Sequence, residues 1–160
     1  MASIREALAQ ANKGLQSKID AALTKEVYGE VVLTEYQAVY GRVYSTKTSG
    51  DYQRRYGNHG LGDPENMEIV GGKASGGRLE VANVTKTNPF KNGVNADAGI
   101  SKNGGNLFLA PIVESGSGYD WADPGPRPFL KLTREVLGNT GAHVDALRRG
   151  LKRQGIKVEE

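Results

Sequence analysis

Two long stretches without hydrophobic periodicity occupy the middle of this chain and limit how it can fold. Residues 45–66 and 86–106 are rich in glycine and polar residues, and their apolar residues follow neither helix nor strand spacing. Loops of this length are uncommon in compact domains unless they carry a function. We therefore expect neighbours in an assembly to order them. The total length of 160 residues predicts a single domain.

The first 43 residues show the spacing of an amphipathic helix. Apolar residues recur at steps of three to five: Ile4, Leu8, Ala11, Leu15, Ile19, Ala22 and Val27. Ser3 and Glu6 have the spacing of a capping box, and Asp20 is predicted on the solvent face. The pattern predicts two consecutive helices, or one long helix bent near Gly29, ending near Val43.

Two short strands and a glycine-rich connection follow the first long loop. The segments MEIV (67–70) and RLEVANVT (78–85) favour strands, and GGKASGG (71–77) is too rich in glycine for a tight two-residue turn. The pattern predicts a flexible hairpin. A phosphate-binding loop is not expected, because Ala74 follows Lys73 where such a loop needs serine or threonine at the start of a helix.

The C-terminal part is predicted to be helical. LFLAPIVESG (107–116) favours a short helix that begins near Pro111. Pro128 suits the first turn of the next helix, whose apolar stripe begins with Phe129. A last helix follows Gly-Asn-Thr, and residues 156–158 predict one edge strand.

Together these elements predict an α+β fold, in which a small antiparallel sheet packs against a long N-terminal helix and C-terminal helices. Residues 1–43 are predicted to form the helical N-terminal region of the single domain 1–160. Residues 44–125 form its centre of strands and long assembly loops. Residues 126–158 form the C-terminal helices and the edge strand.

Residues suited to catalysis or metal binding are sparse. The chain has no cysteine, and its two histidines, His59 and His143, have no partner at metal-ligand spacing. Asp120 and Asp123 have the spacing of a carboxylate pair, although solvation of a loop is the commoner role of such residues. The sequence therefore predicts neither an enzyme nor a metal or cofactor site. No apolar run reaches the roughly 18 residues of a membrane helix, and the N terminus does not resemble a signal peptide.

Tyrosine and arginine residues are interleaved at the start of the first long loop, and the strongest aromatic and basic group is Tyr44, Tyr52, Arg54, Arg55 and Tyr56. Such side chains anchor protein–protein interfaces, stack on nucleic-acid bases, or hold a loop against its own domain. Contact with another protein is the favoured interpretation, and the other two stay open.

The last helix carries a basic cluster, consisting of Arg148, Arg149, Lys152 and Arg153. Because the formal net charge of the chain is only +3, this cluster is a local feature. It is typical of a surface that binds nucleic acid or an acidic protein, and also of a solvated helix face. DNA binding through this helix is therefore the alternative function.

Three segments in this order resemble one family of proteins. They are YGRVYSTKTSGDYQRRYGNHGLGDPENMEI (40–69), LAPIVESG (109–116), and PGPRPFLKLTREVLGN (124–139) followed by HVDALRRGLKRQGIKV (143–158). They are similar to the neck or tail-completion proteins, also called head–tail joining proteins, of long-tailed double-stranded DNA bacteriophages. The resemblance covers about residues 35–157, and its most specific part is the corner formed by Arg127, Pro128 and Phe129.

This resemblance implies a structural role in the virion. Proteins of this family have a small α/β fold and assemble as rings, usually six-fold, around the DNA channel at the head–tail junction. The implied partners are further copies of the chain, the head connector or head-closure protein, the tail tube or tail terminator protein, and the DNA in the channel. Assembly would take place in the host cytoplasm. The three segments do not distinguish a neck-ring protein from the tail terminator protein beside it.

The proline-rich corner then has an expected role in assembly. Such a corner is rigid, so little conformational entropy is lost when Trp121 docks on a neighbouring subunit. Arg127 is expected to bind a carboxylate of that subunit in bidentate fashion. Phe129 is expected in the core of its own subunit.

Overall fold

The computed structural model describes residues 3–45, 60–86, 108–116 and 125–159. Its elements confirm the predicted α+β class, with a long N-terminal helical stretch, C-terminal helices and a small two-stranded antiparallel sheet. The helices are α1 (Ile4–Ala22), α2 (Tyr28–Val39), α3 (Leu109–Ser115), α4 (Phe129–Thr140) and α5 (Ala142–Arg153). The strands are β1 (Met67–Ile69) and β2 (Val81–Asn83), and a short 3-10 helix, Pro64–Asn66, precedes β1.

The N-terminal helical stretch has no break between Ile4 and Tyr44. A π-helical turn, Leu23–Val27, joins α1 to α2, and a second one, Tyr40–Tyr44, follows α2. The predicted capping box is confirmed. The Ser3 backbone N–H donates to the Glu6 carboxylate (2.6 Å), and the Glu6 N–H donates to the Ser3 hydroxyl (3.3 Å). Together they satisfy two of the backbone groups that a helix start leaves unpaired.

The predicted hairpin is confirmed, whereas the predicted edge strand is wrong. The Val70 N–H donates to the Glu80 carbonyl (2.9 Å) across the glycine-rich connection. Residues 156–158 form no strand, because they complete the end of α5. Gly155 has a φ of +76°, and the Ile156 N–H donates back to the Leu151 carbonyl (3.0 Å). This arrangement is a Schellman motif, which uses Ile156 to close the helix.

The chain divides into two compact units. Unit 1 comprises Met1–Val31, Ile69–Val81 and Leu137–Glu160, and unit 2 comprises Val32–Glu68 and Ala82–Val136. The single domain stays a prediction. No helix among the described residues is long and apolar enough to cross a membrane.

The core of unit 1 lies where α5 packs against the end of α1 and the π-helical turn after it. Its buried members are Leu23, Val27, Ala74 and Ala146. A Cβ atom added to Gly150 would lie only 2.7 Å from the Cβ of Ala22, so glycine is what allows this close approach of the helices.

The core of unit 2 gathers α3, the first turn of α4 and the C-terminal part of the N-terminal helical stretch. Its buried members are Ala38, Val39, Val43, Leu61, Leu109, Ala110, Val113 and Phe129. Phe129 is 0% exposed, which confirms its predicted place in the core. The predicted short helix near Pro111 is also confirmed. It is α3, which begins at Leu109, two residues before Pro111.

Candidate assembly interface

The proline-rich corner is held tightly where it enters α4. The Arg127 N–H donates to the Val113 carbonyl (3.0 Å), and buried Phe129 anchors the other end of the corner. The Nε of Arg127 is buried and has no hydrogen-bond partner among the described residues. Buried donors normally have an acceptor, so this Nε is an unsatisfied donor at the corner.

The turn after α3 fixes where the corner begins. Gly116 has a φ of +71°, a conformation that side chains with a Cβ rarely adopt. A Cβ added to Gly116 would lie 2.4 Å from the carbonyl carbon of Gly125. The two glycines on either side of segment 117–124 therefore lie in direct contact, and only glycine fits at position 116.

Glu114 links α3 to the start of α4. Its carboxylate accepts hydrogen bonds from the backbone N–H groups of Leu130 (2.8 Å) and Lys131 (2.9 Å). The first N–H groups of a helix have no partner within the helix, and the positive end of its dipole attracts a negative charge. Glu114 therefore caps α4 from another element and sets the direction in which α4 leaves the corner.

A buried polar network connects α2 with β2 and the residues around Leu61. The Asn83 side-chain amide donates to the Glu35 carboxylate (2.9 Å) and to the Leu61 carbonyl (2.8 Å). The Thr85 hydroxyl donates to the Asn83 side-chain oxygen (2.5 Å). Glu35 is 3% exposed, and this burial, with the nearby charge of Glu114, raises its pKa although Asn83 opposes the shift. The network fixes the position of the residues that flank the long loops.

The described residues at both ends of segment 87–107 are joined. Lys86 and Phe108 form an antiparallel bridge, and the Lys86 ammonium lies 3.7 Å from the centre of the Phe108 ring. The Leu109 N–H donates to the Thr85 carbonyl (2.8 Å). The ends of this predicted assembly loop are thus tied together at one place in unit 2.

A ladder of tyrosines lies on the N-terminal side of segment 46–59. The rings of Tyr36 and Tyr40 are 4.5 Å apart, and those of Tyr40 and Tyr44 are 4.9 Å apart. The Gly62 N–H donates to the Tyr44 hydroxyl (3.1 Å), so residues on both sides of the segment are joined here too. One tilted and one edge-to-face aromatic pair stabilise this end of the helical stretch.

Several predicted contact residues lie outside the described residues. They are Tyr52, Arg54, Arg55, Tyr56 and Trp121. The same holds for His59, Asp120 and Asp123. Their roles stay predictions, although the described residues on both sides of each segment are held close together.

Three of the four basic residues predicted to face DNA form ion pairs within unit 1. Arg149 lies 3.6 Å from Glu30, Arg153 pairs with Glu26, and Arg148 lies 3.0 Å from Asp145. Lys152 is exposed and is the one of the four without an ion pair to a described residue. Most of the positive charge of α5 is therefore paired with neighbouring carboxylates, so less of it is left to bind DNA phosphates.

An apolar stripe on α1 is exposed along most of its length. Ile4, Leu8 and Leu15 lie within a narrow arc of the helix surface and are 81%, 58% and 47% exposed. Ile19 and Ala22 continue the same face, but they pack into unit 1. The stripe is thus covered at its C-terminal end, whereas no described residue buries its N-terminal end.

Sequence reasoning missed three acidic residues with structural roles. Asp20 was expected on the solvent face, but its carboxylate accepts the backbone N–H groups of Gly76 (3.2 Å) and Gly77 (2.8 Å). Glu35 and Glu114 were not singled out at all. A charged residue within an apolar helical segment, as at Glu35, is the one signal that could have drawn attention to a buried network.

Among the described residues, no three histidine or acidic side chains are grouped so that they could hold a metal ion.

No curated protein and no solved structure matches the chain. A family model, YomN, matches residues 7–153, which is most of the sequence. The chain therefore belongs to the YomN family, a family of phage-associated proteins.

Proposed function

We propose that this chain is a virion structural protein of the head–tail junction that assembles as a homo-oligomeric ring around the DNA channel, between the head connector and the tail. The phage association of its family supports the phage part of the proposal. The three segments that resemble neck and tail-completion proteins support the position in the particle.

The exposed apolar stripe of α1 is the observation that carries the proposal of assembly. Exposed Ile4, Leu8 and Leu15 lie on one face of a 19-residue helix. Apolar residues aligned on an exposed face mark a surface that another protein covers. Arg127, which the resemblance assigns to a carboxylate of a neighbouring subunit, is partly exposed at the corner that leads into α4.

The mass of the purified protein in solution, measured by light scattering, tests assembly. A multiple near six subunits is expected, either alone or after addition of the tail-tube protein. Leu8→Glu places a charge in the stripe and should prevent assembly. Gln10→Glu adds the same charge to an exposed position on another face of α1 and should leave assembly intact. A protein that stays monomeric with every partner would contradict the ring.

The place in the particle needs a separate experiment. Heads and tails separated from purified particles are analysed by mass spectrometry and by electron microscopy with labelled antibody. Label at the neck, or at the head-proximal end of the isolated tail, is expected. Label at the baseplate would refute the position while leaving assembly standing.

A further inference from the structure

A groove of about 650 Å³ opens in unit 1 between α1 and the hairpin connection. Lys13, Ser17 and Asp20 line it from α1, while Lys73 and Ser75 line it from the connection. Its volume lies within the range of small-molecule sites, which is roughly 300–1,000 Å³. The groove therefore has room for a ligand larger than a single inorganic ion.

The only acidic residue of this lining is already engaged. The Asp20 carboxylate accepts hydrogen bonds from Gly77 (2.8 Å), Gly76 (3.2 Å) and the Gln16 side chain (3.1 Å). These donors, the Gly77 N–H above all, lower the pKa of Asp20, so it stays ionised. Successive backbone N–H groups in such a turn form a nest for an anion. Asp20 fills the nest of the glycine-rich connection, and its negative charge is offset there.

The groove lining holds two lysines and three hydroxyl groups. The Thr24 hydroxyl is engaged, because it accepts a hydrogen bond from the Ala74 N–H (3.0 Å), and the charge of Lys73 helps to lower the pKa of Asp20. Lys13 and Lys73 are exposed and form no ion pair with a described residue, and the side chains of Ser17 and Ser75 make no hydrogen bond to one. Two ammonium groups and the hydroxyl groups of Ser17 and Ser75, which have no partner among the described residues, thus line one groove. Lysine ammonium groups bind phosphate as point charges, and hydroxyl groups add directional donors.

We propose that this groove binds a phosphate-class anion, with Lys13 and Lys73 as its cationic contacts and Ser17 and Ser75 as hydroxyl donors. The site differs from a phosphate-binding loop, because the backbone nest is filled by Asp20 and the side chains supply the charge. The proposal depends neither on the ring nor on the place in the particle. A free phosphate compound and the phosphate backbone of nucleic acid share this chemistry.

Titration calorimetry with pyrophosphate at constant ionic strength tests the site. The variant Lys13→Ala with Lys73→Ala should weaken binding at least about tenfold, since it removes two charge-assisted contacts. The control variant Lys18→Ala with Lys25→Ala removes two exposed lysines of the same helical stretch outside the groove. It should bind as the parent does. Circular dichroism of both variants verifies that they are folded.

The outcomes separate a site from general attraction between charges. Equal weakening in both variants would overturn the proposal, and so would absence of pyrophosphate binding by the parent. A parallel titration with a short DNA duplex identifies the source of the phosphate. Duplex binding that depends on Lys13 and Lys73 assigns the groove to a nucleic-acid backbone, whereas dependence seen with pyrophosphate alone assigns it to a free phosphate compound.

Discussion

Replacement of Glu114 by alanine should destabilise the start of α4. The carboxylate of Glu114 accepts two backbone N–H groups, and that of Leu130 is partly buried, so water replaces this contact poorly. Loss of a capping side chain costs about 0.5–2 kcal/mol. Loss of the negative charge at the helix N terminus costs about 0.3–1 kcal/mol more. We expect the free energy of unfolding to fall by about 1–3 kcal/mol, and Tm by about 2–12 °C in a chain of this size.

Urea unfolding followed by circular dichroism measures this loss. Glu135→Ala is the matched control, because Glu135 lies on α4, is 54% exposed and has only a 3.8 Å ion pair with Lys131. Its cost should stay within about 0.5 kcal/mol. Glu114→Gln, which keeps one acceptor oxygen, should be intermediate. Equal losses for Glu114→Ala and Glu135→Ala would refute the capping role.

The same carboxylate also has an unfavourable effect, which a double variant can isolate. The charge of Glu114 contributes to the raised pKa of Glu35, so its removal relieves a repulsion while it uncaps α4. In a Glu35→Gln background this relief is absent. Glu114→Ala should therefore cost more in that background than in the parent chain at a pH above the raised pKa of Glu35. An identical cost in the two backgrounds would show that the two carboxylates do not interact.

Two further perturbations test the buried network and the turn after α3. Burial raises the pKa of Glu35 above its ordinary value of 4.5. The folded chain therefore binds more protons at this site than the unfolded chain does. As a result, the free energy of unfolding should fall as pH rises from about 4.5 through the raised pKa. Glu35→Gln should make this fall shallower in urea titrations at several pH values, and parallel curves for variant and parent would contradict the assignment. Gly116→Ala should cost more than about 1 kcal/mol, because its φ is positive and its Cβ would meet the backbone of Gly125. Gly138→Ala is the control, because a Cβ at this position of α4 would meet nothing within 4 Å. It should be neutral or stabilise the protein by up to about 1 kcal/mol. Equal effects of the two variants on thermal unfolding would refute the steric argument.

Features that depend on a few neighbouring residues could be predicted from the sequence. The capping box of Ser3 and Glu6 lies within one helical turn, and the short helix near Pro111 follows from local apolar spacing and the preference of proline for a first turn. The glycines of the hairpin connection adopt positive φ values, as a flexible turn requires. Phe129 was placed in the core because it is a large apolar residue at the start of an amphipathic helix.

The edge strand shows where local reasoning fails. Alternating Ile156 and Val158 have strand-like spacing, but Gly155 directs the chain back onto α5, and the Ile156 N–H is used to close that helix. The Ile156 N–H could pair with another strand or with a carbonyl of its own helix. It bonds to the Leu151 carbonyl, because this nearby acceptor needs no long-range strand pairing.

The sequence by itself therefore determined the α+β class, the capped N-terminal helical stretch, the hairpin and the C-terminal helices, because each depends on spacing and turn chemistry over a few residues. Only the tertiary structure decided what the charged residues do. Glu26 and Glu30 engage two arginines of α5, Glu114 caps a helix that begins 15 residues later, and Asp20 fills the nest of a loop more than 50 residues away. Such partners are chosen by distance in space, on which hydrophobic periodicity carries no information.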